Sequence, residues 1–286
     1  MSQKSNNLAL YILMFNLFIV MGGIGLIVPV MPAFLETFNA GGQVYGVLIA
    51  GFALAQFIFS PIAGDLSDKH GRKPFIIIGL IVFGLANLLL AIADSVFVLF
   101  IARFICGFGA ALVMPPIMAF VADITTPAER GKGMGMLGAS ISLGFTIGPG
   151  IGGALSAIDI VFPFYFAGVA AIIAAVISLL VLPNVKSAVA ISEQPRAKRE
   201  NLFKQLVRST KTSYFMFLLV VFVFSFGISN FQATISLYLD EKFNYTPFDI
   251  SLVLVIGGII GVILQMFVID KLFKRYGEML VILINL

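Results

Sequence analysis

Few residues in this chain are equipped for chemistry, and where they stand says more than how many there are. The single cysteine, Cys106, lies in an apolar run, and the single histidine, His70, has no second ligand at metal-binding spacing. Neither a disulfide framework nor a metal cluster follows from that inventory. No nucleophile stands beside a base in the apolar segments, and the glycine-rich spacing that cradles nucleotide phosphates is absent. Enzymatic and ATP-driven chemistry are therefore disfavoured, and neither a metal nor a cofactor is expected. What remains is charge. Arg103 stands alone inside the apolar run 96–121, Asp123 follows at its end, and Asp68 and Arg72 share the segment 64–74, "GDLSDKHGRKP". An arginine at the middle of a membrane helix costs about 2.5–3.5 kcal/mol on insertion scales, so Arg103 should face a cavity or a partner.

Those charges need elements to hold them, and the composition says which. Sixty per cent of the chain is hydrophobic, 11% is charged, and the mean hydropathy is +1.07. A soluble domain is closer to half apolar and a quarter charged. The apolar residues come in blocks long enough to cross a bilayer core of about 30 Å as helices. The expected class is an all-α integral membrane protein with spans at 8–35, 44–64, 74–93, 96–121, 133–156, 162–183, 213–239 and 249–269. A ninth apolar segment begins near Met279 and reaches Leu286 after eight residues, so the chain is expected to break off in mid-helix. The first block is too long for a signal-peptide core and lacks a small-residue cleavage site, which makes it a retained span.

Orientation follows from the basic residues. With the N-terminus inside, sixteen of the eighteen Lys and Arg fall on the cytoplasmic side, Lys242 falls outside and Arg103 is left within a span. The polar stretch 184–212, with seven basic and two acidic residues, reads as a cytoplasmic linker. Basic loops are ordinary beside a membrane, so no nucleic-acid partner is expected. The linker separates a six-span bundle at 1–183 from a second unit at 213–286, which holds two spans and part of a third. That unit repeats the first: spans begin near 8 and 44, then near 213 and 249, and Asp68-Lys69 is matched by Asp270-Lys271. Paired halves of this kind mark secondary transporters, with the site between them near the midplane.

Four motifs carry a more specific likeness. They are "GDLSDKHGRK" after span two, "LFIARFICGFGAA" in span four, "GMLGASISLGFTIGPGIGG" in span five and "PVMP" closing span one. In this order on these helices, the chain resembles a major facilitator superfamily transporter, and within it the twelve-span drug:proton antiporters of bacterial multidrug efflux. The resemblance implies a monomer of the major facilitator fold in a bacterial plasma membrane. It would have a six-helix N-terminal bundle and here an incomplete C-terminal one. Small amphipathic drugs or dyes, cationic ones among them, would leave in exchange for protons, with the proton gradient as the only energy source. An exporter of one metabolite, such as a sugar or amino acid, and an inactive transporter fragment remain the other readings.

The resemblance assigns roles to residues as well. The family's matching arginine is linked to proton coupling, so Arg103 would sense or relay protonation. Asp123 would join Arg72 beside Asp68, in a cluster that latches the cytoplasmic face. The span-five signature, Gly135, Gly144, Gly148, Pro149, Gly152 and Gly153, accompanies export by exchange. In physical terms, the six glycines and one proline of 138–153 set roughly 9 kcal/mol of propensity against a helix. Recurrence at Gly144, Gly148 and Gly152 makes one smooth stripe against which a neighbouring helix can pack closely, and Pro149 should bend the helix. A mostly apolar substrate pocket is expected from Met21, Ile24, Val28, Gln56, Ser142, Phe145, Phe231 and Gln232, since Met and Phe suit flat, greasy molecules. Several relatives carry a carboxylate where this chain has Gln232, and an amide cannot be deprotonated. That departure leaves the cation preference and the coupling acid open.

Overall fold

The computed structural model describes residues 3–184 and 215–264, together with 208, 210 and 212. Among these residues the chain is all helical, with eight helices long and apolar enough to cross a membrane. They are α1 (Gln3–Glu36), α2 (Gly42–His70), α3 (Arg72–Ala91), α4 (Val96–Ile124), α5 (Pro127–Ser156), α6 (Phe162–Val181), α7 (Phe215–Phe243) and α8 (Pro247–Leu264). Most of the expected linker and the apolar segment from Met279 lie outside the described residues, as do Lys271, Lys274 and Arg275.

The two largest differences from the expected boundaries have one reason. Hydropathy marks where a helix leaves lipid, whereas hydrogen bonding marks where it ends. The segment 64–70 is not a loop: α2 runs through Gly64 and Asp68 to His70, and the connection to α3 is Gly71 alone. Gly71 adopts φ +96°, a left-handed conformation that favours glycine. Asp68 therefore stands in the last turn of α2, not in a loop ahead of α3. Likewise α5 starts at Pro127, six residues before the apolar stretch, with the fixed φ of proline suited to a first turn. The turn into α8 is closed by Asp249, whose Oδ2 accepts from the Thr246 N–H at 3.0 Å and from its hydroxyl at 2.6 Å.

Helices α1 to α6 pack on one another through α1–α5, α3–α4, α2–α4, α3–α6 and α1–α6. Small residues make the closest of these approaches. A Cβ at Gly144 would lie 2.8 Å from the Gly22 nitrogen, one at Gly148 2.6 Å from the Gly22 carbonyl oxygen, and one at Gly152 2.2 Å from that of Leu26. The stripe on α5 is thus in backbone contact with α1. Gly135, counted in the same signature, faces open space, and Gly153 faces a different helix: a Cβ there would meet Ser251 Oγ of α8 at 2.2 Å. Pro149 is buried within a helix that continues unbroken to Ser156.

Polar side chains add joints between helices. Asn16 of α1 donates to Ser178 Oγ of α6 at 2.8 Å in the dry interior. The Lys73 ammonium donates to the Leu182 carbonyl oxygen at the end of α6, at 2.6 Å, where the helix dipole also favours a cation. A half-buried bond of this kind contributes about 1 kcal/mol. Lys73→Met is expected to lower the thermal unfolding midpoint of the purified protein by a few degrees.

The helix ends define two faces. One carries Lys69, Arg72, Lys73, Arg130 and Lys132 and is called here the basic face. Contacts of α7 and α8 with the first six helices gather toward the other face. They include Leu237 against Gly42, Ser251 and Pro247 against Gly153, Val255 against Gly150 and Gly258 against Thr146. Toward the basic face α7 stands away, with residues 216–219 and 221–231 exposed among the described residues.

Candidate substrate cavity

Between these two regimes lies a cavity of about 350 Å³, lined by α1, α2, α4, α5 and α7. Its volume falls within the range of small-molecule sites. Met21, Ile24, Ile27 and Val28 come from α1, Ile141 and Phe145 from α5, and Ser229 and Gln232 from α7. From α2 come Tyr45, Ile49, Phe52, Ala53 and Gln56, and from α4 come Arg103 and Met114.

Six of the eight residues assigned to a pocket from sequence line it: Met21, Ile24, Val28, Gln56, Phe145 and Gln232. Ser142 and Phe231 do not. Each is the chain neighbour of a lining residue, and one step along a helix turns a side chain by about 100°. Ser142 is exposed beside Ile141, and Phe231 is 57% exposed beside Gln232. The α2 wall beyond Gln56 was missed, although the signal was present. Counting back from Gln56 by four, seven and eleven residues gives Phe52, Ile49 and Tyr45, one face of a helix.

Arg103 is 6% exposed and lines this cavity. Its guanidinium carbon sits over the Phe52 ring, 4.9 Å from the centroid. Its Nε has no hydrogen-bond partner, and no carboxylate among the described residues pairs with it. The position of Phe52 is set by Gly107, four residues after Arg103. A Cβ at Gly107 would lie 2.2 Å from the Phe52 carbonyl oxygen, so α2 and α4 touch through backbone at this level. Gln56 Nε2 donates to Met114 Sδ at 3.4 Å, tying the same two helices across the cavity wall.

A second polar centre lies at the basic face. Arg72 is buried at the start of α3. Its Nε donates to Asp123 Oδ2 at 3.2 Å, and its Nη1 donates to Ser67 Oγ at 3.0 Å and to Asp68 Oδ1. Asp123 closes α4, and Ser67 and Asp68 belong to the last turn of α2, so one guanidinium joins three helix ends. The three charged residues grouped from sequence are brought together.

Among the described residues, eight helices long and apolar enough to cross a membrane hold a cavity with one buried arginine in its lining. Residues 13–286 match the Major Facilitator Superfamily. The chain belongs to that superfamily. The family consists of membrane transporters, not enzymes, and the chain is a multi-pass membrane protein.

Multidrug resistance protein 2 of Bacillus subtilis (strain 168) is 42% identical over 271 residues, a match covering 93% of this chain and 67% of that protein. Quinolone resistance protein NorA of Staphylococcus aureus (strain Mu50 / ATCC 700699) is 37% identical over 276 residues, covering 96% of this chain and 69% of the relative. The fold is shared with the crystal structure of a bacterial homolog to the human lysosomal transporter Spinster, in an inward-facing and unoccupied conformation. That match has a TM-score of 0.75 at 18% identity and covers 96% of this chain and 65% of the other. The chain therefore spans about two thirds of the length of the relatives it matches.

Proposed function

We propose that this transporter exports small amphipathic drugs or dyes across a bacterial plasma membrane in exchange for protons, without a cofactor. The observation that carries the reading is the cavity, which combines a largely apolar, Met- and Phe-containing wall with one buried cation. The names of the relatives, multidrug and quinolone resistance proteins, point the same way.

In this reading the basic face is cytoplasmic, as the concentration of Lys and Arg on short loops favours. Contacts of α5 with α8, and of α2 with α7, close the path to the outside while the cavity opens inward. Alternating access is a rocking of the unit 1–183 against the unit that begins at 213, joined by the linker 184–212. The Arg72 cluster holds the inner ends of α2, α3 and α4 together as a block during that motion. Arg103 is the charge in the cavity that responds when a proton enters, whereas Gln232 has no proton to give.

The test is energised dye efflux. Cells expressing the protein, loaded with a carboxylate-bearing rhodamine, are expected to lose the dye severalfold faster than control cells and to stop when a protonophore collapses the gradient. Efflux that continues without a gradient would sink the antiport mechanism. Self-export of one metabolite with no dye efflux would favour the specific exporter instead. Full proton-driven efflux by Arg103→Ala would remove that residue from coupling.

A further inference from the structure

We infer that Arg103 is the docking point for a carboxylate on the transported molecule, so that acids and zwitterions bind better than neutral or purely cationic amphiphiles of the same shape. This rests on the cavity being the substrate cavity proposed above.

A guanidinium carries five N–H donors in its own plane, and a carboxylate can accept two of them side by side. Arg103 is held by a contact of its carbon with the face of Phe52, which draws on charge and leaves in-plane donors available. Its Nε is buried and without a partner. The cost of such a charge is normally met by an opposite charge or by several hydrogen bonds. Among the described residues, the lining offers neither: its other polar side chains, Tyr45, Gln56, Ser229 and Gln232, carry no carboxylate. A bound carboxylate supplies the missing counter-charge in a place where water screens little. The remaining wall takes the apolar body of the same molecule. A lone cationic amphiphile, by contrast, would enter a described lining whose only formal charge repels it.

A matched pair of dyes tests this without any gradient. A rhodamine with a free carboxylate and the methyl ester of the same rhodamine share one cationic ring system, so its contribution cancels. Equilibrium binding to the full chain in lipid nanodiscs is read by fluorescence anisotropy. The free acid is expected to bind about tenfold tighter, the factor that 1.4 kcal/mol corresponds to. Arg103→Gln is expected to bring the acid-to-ester ratio close to one. Arg103→Lys, which keeps the charge but not the fork, should retain part of it. Equal affinities in the unaltered protein, or a ratio unchanged by Arg103→Gln, would overturn the inference while leaving the efflux reading intact. Binding of neither dye would remove the substrate cavity itself, and the docking point with it.

Discussion

Replacing Gly152 by alanine is expected to cost the protein most of its folded yield and lower its thermal unfolding midpoint by on the order of 10 °C. The added methyl would be built 2.2 Å from the Leu26 carbonyl oxygen and 2.9 Å from the carbon it belongs to. A side chain so close could turn aside, but main-chain atoms in the middle of α1 cannot. Overfilled cores that can adjust lose about 1–3 kcal/mol, and a backbone obstacle belongs at or above the upper end. Gly135→Ala supplies the contrast on the same helix. It meets no atom within 4 Å, and alanine is about 1 kcal/mol better than glycine in a helix, so this variant should be unchanged or slightly more stable. Melting of both purified variants against the parent decides the matter. An alanine at 152 that melts with the parent would mean that α1 and α5 are not in backbone contact there.

The contrast also shows how the stripe works. Glycine costs the isolated helix its propensity, and the loss is offset only where a neighbour moves into the space. At Gly144, Gly148 and Gly152 the neighbour is α1. At Gly150 and Gly153 it is α8, which enters from another side of the same helix. One glycine-rich helix thereby holds a tight joint within the first six helices and a second joint to α8.

Much of this was legible in the sequence because membrane helices announce themselves by length and apolarity. The burial of Arg103, the meeting of Asp123 with Arg72 and the backbone approach at Gly144, Gly148 and Gly152 were expected on physical grounds or by resemblance. Helix ends were less legible. Asp65, Asp68, Lys69 and His70 ended the apolar pattern of α2 without ending its hydrogen bonds. Rotation was the other weak point. Ser142 and Phe231 were placed in the cavity by residue type, but a single-residue shift decides whether a side chain faces the cavity or lipid. On α2 the residue types named only Gln56, although the spacing of Tyr45 and Phe52 from it puts them on the same helix face.

Arg72→Ala should be the most damaging of the single changes at the basic face. It removes the one cation shared by Asp123 and Asp68, whose side chains are 8% and 22% exposed, together with the donor to Ser67. Breaking one side of a buried ion pair costs about 3–5 kcal/mol, and the partial exposure of Asp68 places this case near the lower end. Dye efflux, normalised to protein in the membrane, is expected to fall at least tenfold. Arg72→Lys keeps the charge, but its single ammonium lacks the fork that reaches three partners, so its loss should be intermediate. Asp123→Asn keeps an acceptor and leaves Arg72 paired with Asp68, and should be the mildest of the three. A charge swap at positions 72 and 123 is expected to rescue poorly, because the carboxylate moved to position 72 would face Asp68 at the distance its cation now occupies. Neutralising that neighbour by Asp68→Asn in the swapped protein should recover much of the loss. If the swap alone restored efflux, Asp68 would be a bystander and the cluster a simple pair. If Arg72→Ala and Asp123→Asn proved additive in stability, α3 and α4 would not be joined through these charges.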